Sequence, residues 1–207
     1  MQLRLASSKR MRGEERRRQI LDAALSILLD EGIAALRTEK IARKVGLSPG
    51  GIFRHYPSKK AILTALAQDL MTHLEATLPA FSAEEAPLDW VEAFVRSRVR
   101  TLREAPGVRL LFAPEFEKIL PEHTKHELRA SLKATWQALL QALIAGQAKG
   151  EIRADVPAEE LAAAIAALIQ AQNTLALAHL EKEGEGADWV WRTIRDLVEE
   201  RRPVAAD

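Results

Sequence analysis

Cysteine is absent from the 207 residues, which excludes a disulfide framework, a thiolate metal site and a cysteine nucleophile. Aromatic residues make up only 5%, with a single tyrosine, so burial has to come mainly from aliphatic side chains. A run of about twenty uncharged apolar residues, the length needed to span a bilayer, is also missing. The most apolar stretch, 161–180, is mainly alanine and carries Gln170, Gln172, Asn173 and His179, the pattern of a buried helix. The opening residues lack the apolar core of a secretory leader, because polar and basic side chains dominate 7–18. These absences lead us to expect a cytoplasmic protein with no membrane partner. No phosphate-cradling glycine loop, dinucleotide fingerprint or Gly-x-Ser-x-Gly elbow is present, so neither an enzyme nor a cofactor is expected. His123 and His126, beside Glu122 and Glu127, are the nearest approach to a metal set; such a pair is ordinarily surface decoration, and no metal is expected.

What is abundant is helix-forming material. Hydrophobic residues reach 47% and charged ones 29%, alanine and leucine recur at helical spacing, and β-branched runs are few. The pattern predicts an all-α fold of about nine helices. Ile20, Ala24, Ile27 and Leu28 mark one face of a first helix that ends near Gly32. A second opens at Thr38, whose hydroxyl can cap free amides, turns Ile41, Ala42 and Val45 inward, and stops at Gly46. A third opens with Ser48 as cap and Pro49 in the first position, and runs to about Tyr56 before Pro57. Ser58 caps a fourth with Ile62, Leu63, Leu66, Leu70 and Leu74 along one stripe. Further helices are expected over 88–104, 106–120, 121–150, 157–181 and 187–202, the third of these with Leu128, Leu132, Trp136, Leu139 and Leu143 facing inward.

Net charge is only +1, but it is unevenly spread: residues 1–60 hold 14 Lys and Arg against 6 Asp and Glu (+8), and the other 147 hold 16 against 23 (−7). A basic head on an acidic body points to a polyanionic partner for the head, with a mixed solvated surface as the bland reading. Two short helices joined at Gly46-Leu47 have the length and turn chemistry of a helix-turn-helix, whose second helix enters the major groove of duplex DNA. Gly50 and Gly51 each cost a helix about 1 kcal/mol relative to alanine. That cost is easier to understand where the backbone must come close to DNA, although the glycines could merely loosen a surface turn.

The run Thr38-Glu39-Lys40-Ile41-Ala42-Arg43-Lys44-Val45-Gly46-Leu47-Ser48-Pro49-Gly50-Gly51-Ile52-Phe53-Arg54-His55-Tyr56-Pro57-Ser58-Lys59 resembles the DNA-binding segment of the TetR/AcrR family of repressors. The resemblance covers residues 14–70 in detail and only helix number and lengths thereafter. It implies phosphate contacts from Thr38 and Lys59, and places Pro49, Gly50, Gly51, Arg54 and His55 at the groove. Phe53 stands where the family usually has tyrosine and so lacks a phosphate-binding hydroxyl; Tyr56, where phenylalanine is commoner, is a partial replacement. With no side chain at Gly51, few direct base contacts are expected. Arg54 is the best remaining reader, for guanine or else for phosphate alone, and Arg37 is a second candidate. Ser48 brings a positive helix end toward phosphates.

The resemblance further implies a head over 1–58 that binds palindromic operator DNA, and a helical body over 59–207 that dimerises and takes a small, possibly hydrophobic, effector that releases the DNA. Candidate dimer contacts are Ile165, Leu168, Gln172, Leu175 and His179 on one helix, and Trp191, Ile194, Leu197 and Val198 on the last. Candidate effector contacts are Leu70, Leu74, Phe94, Leu102, Leu110 and Phe112, with Phe116, Trp136 and Leu140; Arg98 and Gln170 are polar members that could orient a ligand. The alternative reading is an architectural DNA-binding protein of low sequence preference without an inducer. Lys9, Arg10, Arg12, Arg16, Arg17 and Arg18 form an N-terminal arm that either tracks the DNA backbone or is in part a solvated helix face. Removing residues 1–12 is expected to weaken duplex binding and flatten its dependence on salt; an unchanged salt slope would argue against the arm.

Overall fold

The computed structural model describes residues 2–80, 86–177 and 186–199. Among these the fold is all-α: α1 (Gln2–Glu31), α2 (Thr38–Lys44), α3 (Pro49–Phe53), α4 (Lys59–Ala76), α5 (Pro87–Glu104), α6 (Pro114–Ile119), α7 (Glu122–Lys149), α8 (Ala158–Leu177) and α9 (Gly186–Val198), with 3-10 turns at Ile33–Ala35 and Pro106–Phe112. The one extended pairing among the described residues is an isolated antiparallel bridge between Ile152 and Glu199. No helix among them is long and apolar enough to cross a membrane. The chain forms two compact units, residues 1–72 with 109–128, and residues 73–108 with 129–207. The head-and-body boundary expected at 58/59 falls inside the first of these.

In the first unit Ile20, Ala24, Ile27 and Leu28 of α1 are buried, as their spacing predicts, together with Leu36, Ile41, Ala42, Ile52, Ile62 and Leu66. Gly32 ends this segment at φ +80°, a conformation that a Cβ would strain. Local details differ from expectation at three places. Thr38 is the first helical residue of α2 and the cap position belongs to Arg37, whose side chain makes no capping bond. Helix α3 stops at Phe53 and not at Tyr56. The single helix expected over 106–120 is a 3-10 turn followed by α6, because Pro114 has no amide with which to continue a hydrogen-bond ladder.

The second unit is built on α5, α8 and α9, which pack on one another. Val91, Val95 and Val99 of α5 are enclosed along with Leu161, Ala162 and Ile165 of α8 and Val190, Trp191, Ile194 and Val198 of α9. Beside them α7 buries Leu139, Ala142 and Leu143. Trp136, expected to face inward, is 37% exposed, and Ile144 is 50% exposed. The reason is helical geometry: residues four apart advance by about 40° around the axis, so the row Leu128, Leu132, Trp136 rotates away from the core as it proceeds. After α7 the chain turns at Gly150 (φ +71°), and Gln147 Nε2 pins the turn by donating to the carbonyls of Arg153 (2.9 Å) and Val156 (2.8 Å).

Among the described glycines, Gly146 of α7 leaves the least room for a side chain. A Cβ there would lie 2.5 Å from Ile152 Cδ1, 2.7 Å from Cγ1 and 3.2 Å from Cβ, and Ile152 is wholly buried. Gly146→Ala gains about 1 kcal/mol of helix propensity but overpacks the contact by about 1–3 kcal/mol. We therefore expect a net loss in denaturant unfolding, and the same substitution made in an Ile152→Ala background should cost clearly less. A single Gly146→Ala variant more stable than the parent would refute the packing argument.

Candidate nucleic-acid interface

A five-residue helix cannot persist by itself, because nucleation fixes several residues for very few hydrogen bonds. Local chemistry and a small core hold α3 in place. Gly46, at φ +68°, permits the reversal after α2, and the Leu47 amide donates to the Ala42 carbonyl at 2.9 Å. Ser48 has extended backbone, and its Oγ accepts from the Gly51 amide at 3.1 Å, which is the cap read from the sequence. Ile52 is then enclosed completely, with Ile41 and Ala42 of α2 also buried.

Burying Ile52 leaves the opposite surface of α3 open. Ser48, Pro49, Gly50, Phe53 and Arg54 are exposed, and Gly51 and His55 half-buried. Phe53 is 49% exposed, a large apolar surface left in water. Gly50 has nothing within 4 Å of where a Cβ would lie, and at Gly51 the nearest atoms, Leu47 Cβ and Ser48 Oγ, are at an ordinary 3.4 Å. Nothing inside the chain therefore requires either glycine. Arg37 and Lys59 are exposed and Thr38 is half-buried.

Tyr56 is the exception among the expected DNA contacts. It is only 7% exposed, and the Arg17 guanidinium lies 5.5 Å from the centre of its ring. Burial pushes its hydroxyl pKa up, with Arg17 opposing and Asp69 adding to the rise. It is a core residue of the head, and its partial replacement of the hydroxyl missing at Phe53 is set aside.

The basic residues fall into two groups. Arg16 donates to Gln19 and, at 3.3 Å, to the Val45 carbonyl at the end of α2. Arg18 pairs with Asp22 (3.1 Å) and Asp69 (3.2 Å), Lys40 with Glu31, and Lys44 donates to Ser26. These side chains brace the first unit. The side chains of Arg37, Arg54, Lys59 and Lys60, with that of Arg43 in the last turn of α2, make no hydrogen bond or ion pair within the described residues. Arg43 and Lys60 were missed in the sequence reading; their signal was position, each being a cation that flanks the motif. The side chains of Lys9, Arg10 and Arg12 lie outside the described residues.

The expected effector residues divide between the two units. Leu70, Leu110, Phe112 and Phe116 belong to the first, and Leu74, Phe94, Arg98, Leu102, Trp136, Leu140 and Gln170 to the second. Leu70, Leu74, Phe94, Leu102 and Phe116 are buried, and Leu110, Leu140 and Gln170 half-buried. Phe112, 40% exposed, and Trp136 lie at the surface instead of lining an interior site.

Arg98 stands out within this set. It is 4% exposed, its Nη1 donates to the Leu74 carbonyl (2.6 Å) and to Thr77 Oγ1 (3.1 Å), and its guanidinium carbon sits 5.3 Å from the centre of the Phe94 ring. Its Nε and Nη2 are buried without an acceptor. Burial lowers its pKa to about 10, so it stays charged at neutral pH. The folded chain carries that cost at every pH below about 10 and sheds it only as the pH rises above that value toward the ordinary guanidinium range.

Of the expected dimer contacts, Ile165, Trp191, Ile194 and Val198 are buried within the single chain, and so is Gln172. A side chain already enclosed by its own chain offers nothing to a second copy, so these five form the core of the second unit. Leu168, Leu175 and Leu197 are half-buried; His179 lies outside the described residues. Among the described residues no group of three His, Asp or Glu could hold a metal.

Residues 20–66 match the bacterial regulatory proteins of the tetR family, and residues 111–194 match the tetracyclin repressor-like C-terminal domain. The HTH-type transcriptional regulator RutR of Escherichia coli K12 is 30% identical over 100 residues, 48% of this chain and 47% of that protein. The class D tetracycline repressor of Escherichia coli is 34% identical over 90 residues, 43% of this chain and 38% of that one. The chain thus spans about half the length, or less, of these curated relatives. Among solved structures, a TetR transcriptional regulator from Chloroflexus aurantiacus J-10-FL superimposes with a TM-score of 0.72 at 22% identity, over 92% of this chain and 100% of that one. AibR, solved with isovaleryl coenzyme A and operator DNA, gives 0.70 at 17% identity, over 90% and 100%. At these identities the structural likeness is one of fold, and together with the two domain matches it supports a single assignment. The chain belongs to the TetR family of bacterial regulatory proteins.

Proposed function

We propose that this protein is a cytoplasmic transcriptional repressor that grips palindromic operator DNA as a homodimer and lets go when a small ligand binds its body. The observation behind the DNA contact is the open surface of α3: a short, capped helix with glycines that internal packing does not need, flanked by cations that no internal acid neutralises. Pro49, Gly50 and Gly51 let the backbone come close to the duplex. Arg54 and His55 reach the groove or its walls, and Thr38, Ser48 and Lys59, with Arg37 and Arg43, meet phosphates. Phe53 supplies apolar contact with sugars or a thymine methyl.

One such head buries too little DNA for useful affinity, and a two-fold pair on a palindrome is the usual solution. The surface that supports pairing is on α8. Ala163, Ala167 and Ala171 lie one turn apart and exposed, with Leu168 and Leu175 half-buried beside them. Small side chains let a facing helix approach closely. Release follows if the ligand binds better to a form whose two heads are wrongly spaced, lowering operator affinity by the ratio of its affinities for the two forms.

Selection of duplexes from a random library tests the reading as a whole. A regulator should prefer its selected site over random duplex by roughly a thousandfold or more, whereas uniform affinity would favour the architectural alternative. On the selected site, Arg54→Ala should cost about 1–3 kcal/mol and relax the preference at one base position; a loss equal for all sequences would make Arg54 a phosphate contact. Gly50→Ala should leave thermal stability unchanged or slightly raised, yet weaken operator binding by roughly tenfold or more, since about 1.4 kcal/mol of lost contact is tenfold. Unchanged binding would mean that this surface does not approach DNA. Ala167→Arg should yield a folded monomer by sedimentation with lowered operator affinity, and a dimer of unchanged strength would remove α8 from the interface.

A further inference from the structure

Arg98 is the anomaly of the second unit. A guanidinium enclosed by protein ordinarily has a carboxylate beside it, because the cost of desolvating the charge is otherwise unmet. No carboxylate among the described residues pairs with this one; its fixed partners are the Leu74 carbonyl, Thr77 Oγ1 and the face of Phe94. All three act on the Nη1 side or on the flat face of the group. The two nitrogens left over, Nε and Nη2, share an edge of the guanidinium plane: their N–H bonds run parallel, at the spacing of the two oxygens of a carboxylate.

We propose that the Nε–Nη2 edge of Arg98 is the anchoring site for the carboxylate of the effector, which is a small organic acid with an apolar remainder. This rests on the reading of the protein as a ligand-responsive regulator and adds the ligand's chemical class. Two bonds to Nη1 hold the plane of the group, so the open edge is already oriented. The apolar remainder of the ligand follows from what is next to the group: the Phe94 ring lies against the guanidinium and in turn stacks on buried Trp90 at 5.4 Å, and the accepting carbonyl belongs to buried Leu74. A cationic ligand would be repelled, and a neutral one would leave the charge uncompensated.

A purely structural role for Arg98, tying the last turn of α4 to α5, needs Nη1 alone. A lysine could perform it without enclosing two idle donors. Both idle nitrogens are buried, so an entering acid has to part the side chains around them. It does so at the group that holds the Leu74 carbonyl, in the final turn of the helix that begins at Lys59. Binding is thereby linked to a rearrangement at the end of α4, which a release mechanism requires.

The test is calorimetric titration of the full chain with straight-chain carboxylates from butanoate to dodecanoate, each compared with its primary amide, with operator affinity followed in parallel. At least one acid should bind the parent protein, at least tenfold more tightly than its amide. Arg98→Met and Arg98→Lys should each weaken that acid at least tenfold while changing the affinity of the amide less than threefold. Arg98→Met should also melt no lower than the parent, since an unmet buried charge is removed. The proposal is overturned if no acid in the series binds, if acid and amide bind the parent equally, or if both variants bind the acid like the parent. Should Arg98→Met fail to fold, the acid–amide comparison on the parent and the Arg98→Lys variant decide the matter. Acid binding that depends on Arg98 but leaves operator affinity unchanged would support the site and sink the release reading. Operator release by acids that bind both variants normally would do the reverse.

Discussion

The open surface of α3 depends on the burial of one side chain. Ile52 is wholly enclosed, close in sequence to the equally buried pair Ile41 and Ala42, and a five-residue helix has no other means of existing in water. Because Ile52 points inward, Gly50, Phe53 and Arg54 are left exposed around it. The Ser48 cap and the positive φ of Gly46 are the local devices that allow this arrangement. They lower the cost of forming the turn and the helix start, but the hydrophobic contact supplies the driving force.

Charge in the head is sorted by geometry. Arg16 and Arg18 lie close to the motif in the first unit, yet they serve to hold it together. Cations whose side chains pair with nothing in the chain remain available to a polyanion, and in the proposed function these are the basic residues that contribute to DNA affinity. The glycines fit the same logic. With no side chain at either position, α3 would contribute close approach under the proposed function, and sequence preference would then rest on Arg54 and on the shape of the duplex.

The second unit poses the opposite problem, since its exception is a charge kept away from water. Most of its interior is aliphatic and settled, with α5, α8 and α9 enclosing one another. Arg98 breaks that consistency, because burial disfavours its charged form and lowers its pKa. Local rules are commonly violated where function requires it, and here the violation coincides with the last turn of α4.

Much of this protein was legible from sequence. The helix-turn-helix, the caps at Ser48 and Ser58, the turns at Gly32, Gly46 and Gly150 and the all-α fold are consequences of interactions over a few residues. Such interactions depend on the order of residues alone. Only the tertiary structure decided which side of each helix its own chain would cover. It turned Trp136 outward through the drift of a four-residue row and enclosed Ile165, Trp191, Ile194 and Val198 against α5 where a second copy had been expected. It also drew Tyr56 into the core of the head and left two nitrogens of Arg98 without acceptors. Those outcomes depend on neighbours distant in the chain, because periodicity shows that a helix has an apolar face but not what will lie against it.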